Sequence, residues 1–117
     1  GVLSETQYSF STRFENGTGT NPEELIAAAH AGCFTMALSG QLGAANLVAE
    51  QLATTATVTM EKVEAGWTVT GVHLAVTGKV PKADAASWEK ATAAAKAGCP
   101  ISRLLNATIT MDAKLEN

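Results

Sequence analysis

Over residues 8–14, Tyr8, Phe10, Thr12 and Phe14 alternate with Ser9, Ser11 and Arg13. This is the period-two pattern of a half-buried strand, and parity sets Arg13 on the face opposite the aromatic residues. Asn16-Gly17-Thr18-Gly19-Thr20 reads as a turn. Thr20 or Asn21 then caps a helix predicted from about Pro22 to about Gly43. Pro22 fits the first helical position, and Glu23 and Glu24 complement the unpaired amides and dipole of the first turn. Residues 55–60 and 67–80 predict a strand pair joined by the turn Glu64-Ala65-Gly66. A second capped helix is predicted from Asp84 to Ala97 with Gly98 as its stop. Cys99-Pro100-Ile101-Ser102 opens a further short helical turn, and residues 108–115 form a last strand. Strand, helix, two strands, helix, strand is the order of an α+β domain. With no repeat or linker, residues 1–117 read as one domain.

Composition narrows the function classes. Of 117 residues, 46% are hydrophobic but only 5% aromatic, so alanine fills much of a thin core, and association is expected to bury more surface. The net charge is −3, with no dense Lys/Arg cluster, which argues against a nucleic-acid or anionic-membrane surface. No apolar run is expected to approach the roughly 20 residues of a bilayer span. Two cysteines without a secretory segment point to the cytoplasm, where a disulfide between them would be transient. The chain opens Gly1-Val2-Leu3 without methionine, which leaves room for a preceding piece. The sequons at Asn16 and Asn106 are read as chance. Gly17-Thr18-Gly19-Thr20 lacks the lysine of a phosphate-binding loop.

The candidate chemistry centres on Cys33. At about 100° per residue, Ile26, Ala29, Met36, Ala37 and Gly40 project within roughly 60° of it, so Cys33 is expected mid-stripe on an apolar helix face. Phe34 and Leu38 extend that character sideways. A lone cysteine so placed is ordinarily an inert small hydrophobe, because burial raises its pKa. A mid-helix position also denies it the dipole at a helix start, so reactivity needs a cation from elsewhere. Glu23 projects about 80° from Cys33 and Glu24 about 180°, so Glu23 is the better candidate for a shared pocket. His30, about 60° away, is either a base or a polar group at the edge of the packed face, and the second is the plainer reading.

Gly19-Thr20-Asn21-Pro22-Glu23-Glu24-Leu25, followed by Ala28-Ala29-His30-Ala31-Gly32-Cys33-Phe34, resembles the osmotically inducible protein C (OsmC) branch of the OsmC/Ohr family. Lys96-Ala97-Gly98-Cys99-Pro100-Ile101-Ser102 is similar to that family's second-cysteine motif. The resemblance implies antiparallel β-sheets around central helices and an intertwined homodimer with active sites at the subunit interface. It implies a thiol peroxidase acting on organic hydroperoxides in oxidative or osmotic stress defence. Carried over by motif, Cys33 is the peroxidatic cysteine, Cys99 the resolving cysteine, Arg13 the branch arginine and Glu23 the glutamate that holds it. The resemblance also implies an N-terminal strand segment, expected to be either missing or removed before Gly1.

The implied chemistry has a physical basis. A thiolate attacks the O–O bond, an arginine stabilises both the thiolate and the leaving oxygen, and the resulting sulfenic acid condenses with a second thiol. Cys99, between Gly98 and Pro100, is expected at a helix entrance, where backbone donors can stabilise a thiolate or where it is simply a small capping residue. The low charge of the stripe suits bulky apolar peroxides, with Phe34, Met36 and Leu38 as candidate walls or simply core. Regeneration calls for an external dithiol, which the resemblance suggests is a dihydrolipoyl group or a small thiol; no cofactor is implied. Two other classes compete. A zinc module would use His30, Cys33 and Cys99 with Glu23, and a catalytically silent protein of the same shape would bind small apolar ligands.

Overall fold

The computed structural model describes residues 3–8, 13 and 19–117. Helix α1 (Pro22–Ala44) is followed by strands β1 (Gln51–Val63) and β2 (Gly66–Lys79), helices α2 (Ala85–Gly98) and α3 (Pro100–Leu104), and strand β3 (Thr108–Leu115). Most of the strand expected over 8–14 lies outside the described residues, as does the turn up to Thr18. Of the described part, Tyr8 pairs in an isolated parallel bridge with Thr20. Arg13 is in helical backbone, not the extended backbone expected of it.

Local chemistry sets the helix ends. Asn21 is the cap of α1, its side-chain oxygen accepting from the Glu24 amide at 2.8 Å, and Pro22 opens the helix. At the other end the Asn46 amide donates to Gly43 O and the Leu47 amide to Leu42 O. Asn46 takes the left-handed conformation, φ 62°, which supplies the turn that a glycine would otherwise give. Asp84 and Ser87 form a reciprocal capping box on α2. Gly98 is the last residue of α2 rather than its stop, and Cys99 is the C-cap.

The sheet has the order β1-β2-β3. β1 and β2 are antiparallel, but β3 runs parallel to β2, so the described sheet is mixed and corrects the antiparallel expectation. The return from β2 to a parallel neighbour needs a crossover, and α2, Cys99 and α3 are that crossover. The helix-facing rows are Val58–Val72–Ile109, Ala56–Leu74–Met111, Thr54–Val76–Ala113 and Leu52–Gly78–Leu115. Phe34, Leu38 and Leu42 from α1 and Trp88, Ala91 and Ala95 from α2 close the core over them. Burying each large side chain there contributes about 1.5–3 kcal/mol. A Cβ on Gly78 would fall 2.7 Å from Trp88 Cζ3 and closer still to Cη2, so the missing side chain is what lets the indole lie on the sheet.

The buried stripe of α1 is His30, Phe34, Leu38 and Leu42, displaced from the one expected. Cys33 lies at its edge, half-buried, while Met36 is 77% exposed. Leu25, Ala29, Gly32, Met36 and Gly40, spaced four, three, four and four apart, run along the exposed side. Phe34 and Leu38 are core, not pocket walls. α1 is also 23 residues long with a mean hydropathy of 1.3 in its most apolar stretch. By length and composition it therefore reaches a bilayer span, contrary to expectation, though its four buried side chains pack as those of a core helix do.

Candidate active site

Cys99 is fixed from both sides. Its amide closes α2 on Ala95 O at 2.9 Å, and its carbonyl accepts from the Arg103 amide at 3.1 Å to open α3. Its side chain is fully buried and aims at α1, where Cys99 Sγ meets Cys33 Sγ at 2.8 Å. Both thiols are free, and the spacing exceeds the roughly 2.05 Å of a disulfide.

Pro100 occupies the first position of α3, so the Ile101 amide is one of the helix's unpaired donors. It hydrogen-bonds Cys33 and pulls the thiol's pKa down. Burial, the hydrogen bond to Cys99 and the charge on Cys99 act more strongly the other way, and the net pKa of Cys33 lies above its ordinary 9.0. Cys33 thus receives a helix-start donor after all, from a different helix. Judging it only by its position in α1 misses this, and the donor expected to serve Cys99 serves Cys33.

One turn before Cys33, His30 is fully buried rather than at the edge of the packed face. Its Nε2 lies 2.7 Å from Ser102 Oγ. Nδ1 is buried with no hydrogen-bond partner among the described residues. Burial lowers the pKa of His30 below 6.5, so the ring is neutral at physiological pH.

Arg13 and Glu23 form a second pair. Arg13 Nε donates to Glu23 Oε1 at 2.8 Å, Nη2 donates to the same oxygen, and Nη2 also lies 3.6 Å from Met60 Sδ. Glu23 Oε2 is buried with no partner among the described residues. Ten residues of helix separate Glu23 from Cys33, about 15 Å of rise. The four expected site residues therefore come together as two pairs, Cys33 with Cys99 and Arg13 with Glu23.

Among the described residues no three His, Cys, Asp or Glu side chains gather as metal ligands. The residues weighed for a zinc module are each engaged otherwise: His30 faces Ser102, Glu23 faces Arg13, and the two cysteines face each other. Sequence reasoning passes over Ser102 and Met60 as site residues. The three-residue offset from Cys99 to Ser102, equal to that from His30 to Cys33, is the signal that finds the first; nothing in the sequence marks the second.

The chain is 49% identical over all 117 residues to Peroxiredoxin OsmC of Escherichia coli (strain K12), covering 82% of that protein. Among solved structures it is similar to an OsmC-like protein of unknown function from Vibrio cholerae, with 20% identity and a TM-score of 0.75. That match covers 81% of this chain and 64% of the other, so the chain spans somewhat less than two thirds of that relative. It is also similar to the organic hydroperoxide resistance protein OhrB of Bacillus subtilis, with 25% identity and a TM-score of 0.65 over 86% of this chain and 73% of that one. The family described as OsmC-like protein matches residues 15–114. By that match and the full-length identity, the chain belongs to the OsmC-like protein family.

Proposed function

We propose that this OsmC-family peroxidase reduces organic hydroperoxides to alcohols, with Cys33 as peroxidatic and Cys99 as resolving cysteine. The observation that carries the reading is the pair of free thiols 2.8 Å apart. The name of the E. coli relative supports the reaction class, and that of the B. subtilis protein supports the substrate class.

In the first step the Cys33 thiolate attacks one peroxide oxygen. The S–O bond forms, the O–O bond breaks and the alkoxide leaves, taking a proton, so Cys–SH and ROOH become Cys–SOH and ROH. Cys99 then attacks the same sulfur and expels the hydroxyl as water. An external dithiol, a dihydrolipoyl group or a small thiol, returns both cysteines to thiols by exchange. A reducing compartment such as the cytoplasm suits that cycle.

Because the Cys33 pKa is raised in the single chain, a cation must favour the thiolate during attack. Arg13 is the group we assign, with Glu23 orienting the guanidinium by charge-assisted hydrogen bonds. It would act on the thiolate and on the leaving oxygen alike. A second copy meets the distance problem. Two α1 helices packed antiparallel on a two-fold axis near residue 28 would set residue 23 of one beside residue 33 of the other. A homodimer of that kind would complete each site across a two-fold axis.

Mass spectrometry after one equivalent of cumene hydroperoxide tests the cysteine roles. The expected product has lost two hydrogens, mapped to a Cys33–Cys99 link, with cumyl alcohol released. Hydroperoxide consumed without that link would overturn the assignment.

A further inference from the structure

Two contacts between side chains tie α1 to the turn that carries Cys99, and they repeat at one spacing. Cys33 meets Cys99 at 2.8 Å, and three residues along each segment His30 Nε2 meets Ser102 Oγ at 2.7 Å. We propose that His30, through Ser102, is a positioning residue for the resolving step, holding the Cys99 turn in register with α1 so that its thiol meets the oxidised Cys33. The inference rests on the cysteine roles given above.

Beyond the Ile101 amide's bond to Cys33, α3 has little else to place it. It is five residues long, contains no buried side chain and receives no side-chain cap. A helix this short does not hold its own shape in water. Ile101 and Leu105 lie only partly buried against the core. An apolar residue at position 30 would fill the core without the cost of burying an imidazole, which is unfavourable unless hydrogen-bonded. The position instead holds a fully buried histidine whose hydrogen bond is to the Cys99 turn.

The chemistry needs this accuracy. When Cys99 attacks, the S–S bond forms, the S–O bond of the sulfenic acid breaks and water leaves with the Cys99 proton. The sulfurs close from 2.8 Å to about 2.05 Å, a movement under about 1 Å that a loosened turn would miss. Lost register leaves the sulfenic acid standing, open to a second hydroperoxide and the sulfinic acid.

The test is single-turnover reaction of the full chain with tert-butyl hydroperoxide, followed by rapid quench and intact mass. Ser102→Ala and His30→Asn are expected to slow consumption of the first equivalent less than disulfide formation, because the loosened turn also carries the Ile101 amide that donates to Cys33. Both should form the disulfide about tenfold more slowly, the factor of one net hydrogen bond, and build up sulfinic acid under excess peroxide. Ser102→Thr and His30→Gln, which keep a hydroxyl and a nitrogen near Nε2, should restore disulfide formation. Wild-type disulfide kinetics in both Ser102→Ala and His30→Asn would overturn the inference, as would equal slowing of both steps. A wild-type chain that forms no Cys33–Cys99 link sinks the cysteine assignment itself, a different failure.

Discussion

Cys33 Sγ and Cys99 Sγ stand 2.8 Å apart as free thiols, although 66 positions separate them in the chain. One is half-buried and the other wholly enclosed, which suits the roles proposed for them as peroxidatic and resolving cysteine. Cys33→Ser is expected to abolish consumption of cumene or tert-butyl hydroperoxide. Cys99→Ser should permit one turnover and then pass Cys33 on to the sulfinic acid. A peroxide assay with intact-mass detection reads both, and Cys33→Ser with wild-type turnover would remove Cys33 from the chemistry.

Arg13 and Glu23 are hydrogen-bonded to each other some ten helical residues from Cys33. Arg13→Ala should slow the first step about 10²–10³-fold, the usual scale for losing a preorganised charge-stabilising group. If the pair serves the neighbouring copy, mixing Arg13→Ala with Cys33→Ser chains should regain activity, since one site in each mixed dimer is intact. Random exchange predicts about a quarter of wild-type turnover. No recovery in confirmed mixed dimers would place the arginine's action within its own chain.

The His30 pKa is lowered from 6.5 by burial, which fixes the sign of a pH effect on stability. Above 6.5 the ring is neutral both folded and unfolded. Below that value the unfolded chain takes up a proton that the folded chain resists, so stability falls with pH until the folded-state pKa is passed. Thermal unfolding from pH 8 to 5 should show this loss in the wild type and a smaller one in His30→Gln. Identical pH profiles would mean that His30 is not the titrating group.

Gly78 underlies the Trp88 indole, and an added Cβ would overlap the ring and come within 3.1 Å of Leu52 Cδ2. Gly78→Ala should cost about 1–3 kcal/mol, the range for overpacking a filled core, read by urea unfolding. A neutral result would mean that the indole shifts freely.

Helix ends were legible because their signals are local: Asn21 and Pro22 open α1, and Asp84 with Ser87 opens α2. Strands β1, β2 and β3 were legible, but β3's direction was not, because a period of two is the same read either way along a strand; the alternation over residues 8–14 meets helical backbone at Arg13. The face of α1 was misjudged for a related reason. A helix rich in Ala and Gly is apolar nearly all round, so projection alone does not say which side meets the sheet. The candidates Cys33, Cys99, Arg13 and Glu23 could be named from the sequence. The Ile101 amide at Cys33 and the Ser102 hydroxyl at His30 could not, since both come from a helix whose position depends on the crossover between parallel strands.

The length of chain between the two cysteines has a consequence for turnover of the protein itself. Linking residues 66 positions apart would shrink the ensemble open to the denatured polypeptide, an effect of about 4 kcal/mol for a ring of that size. The oxidised form should then resist heat and proteases better than the reduced one. Molecules that have just met a peroxide and await their reductant would be those best protected from degradation.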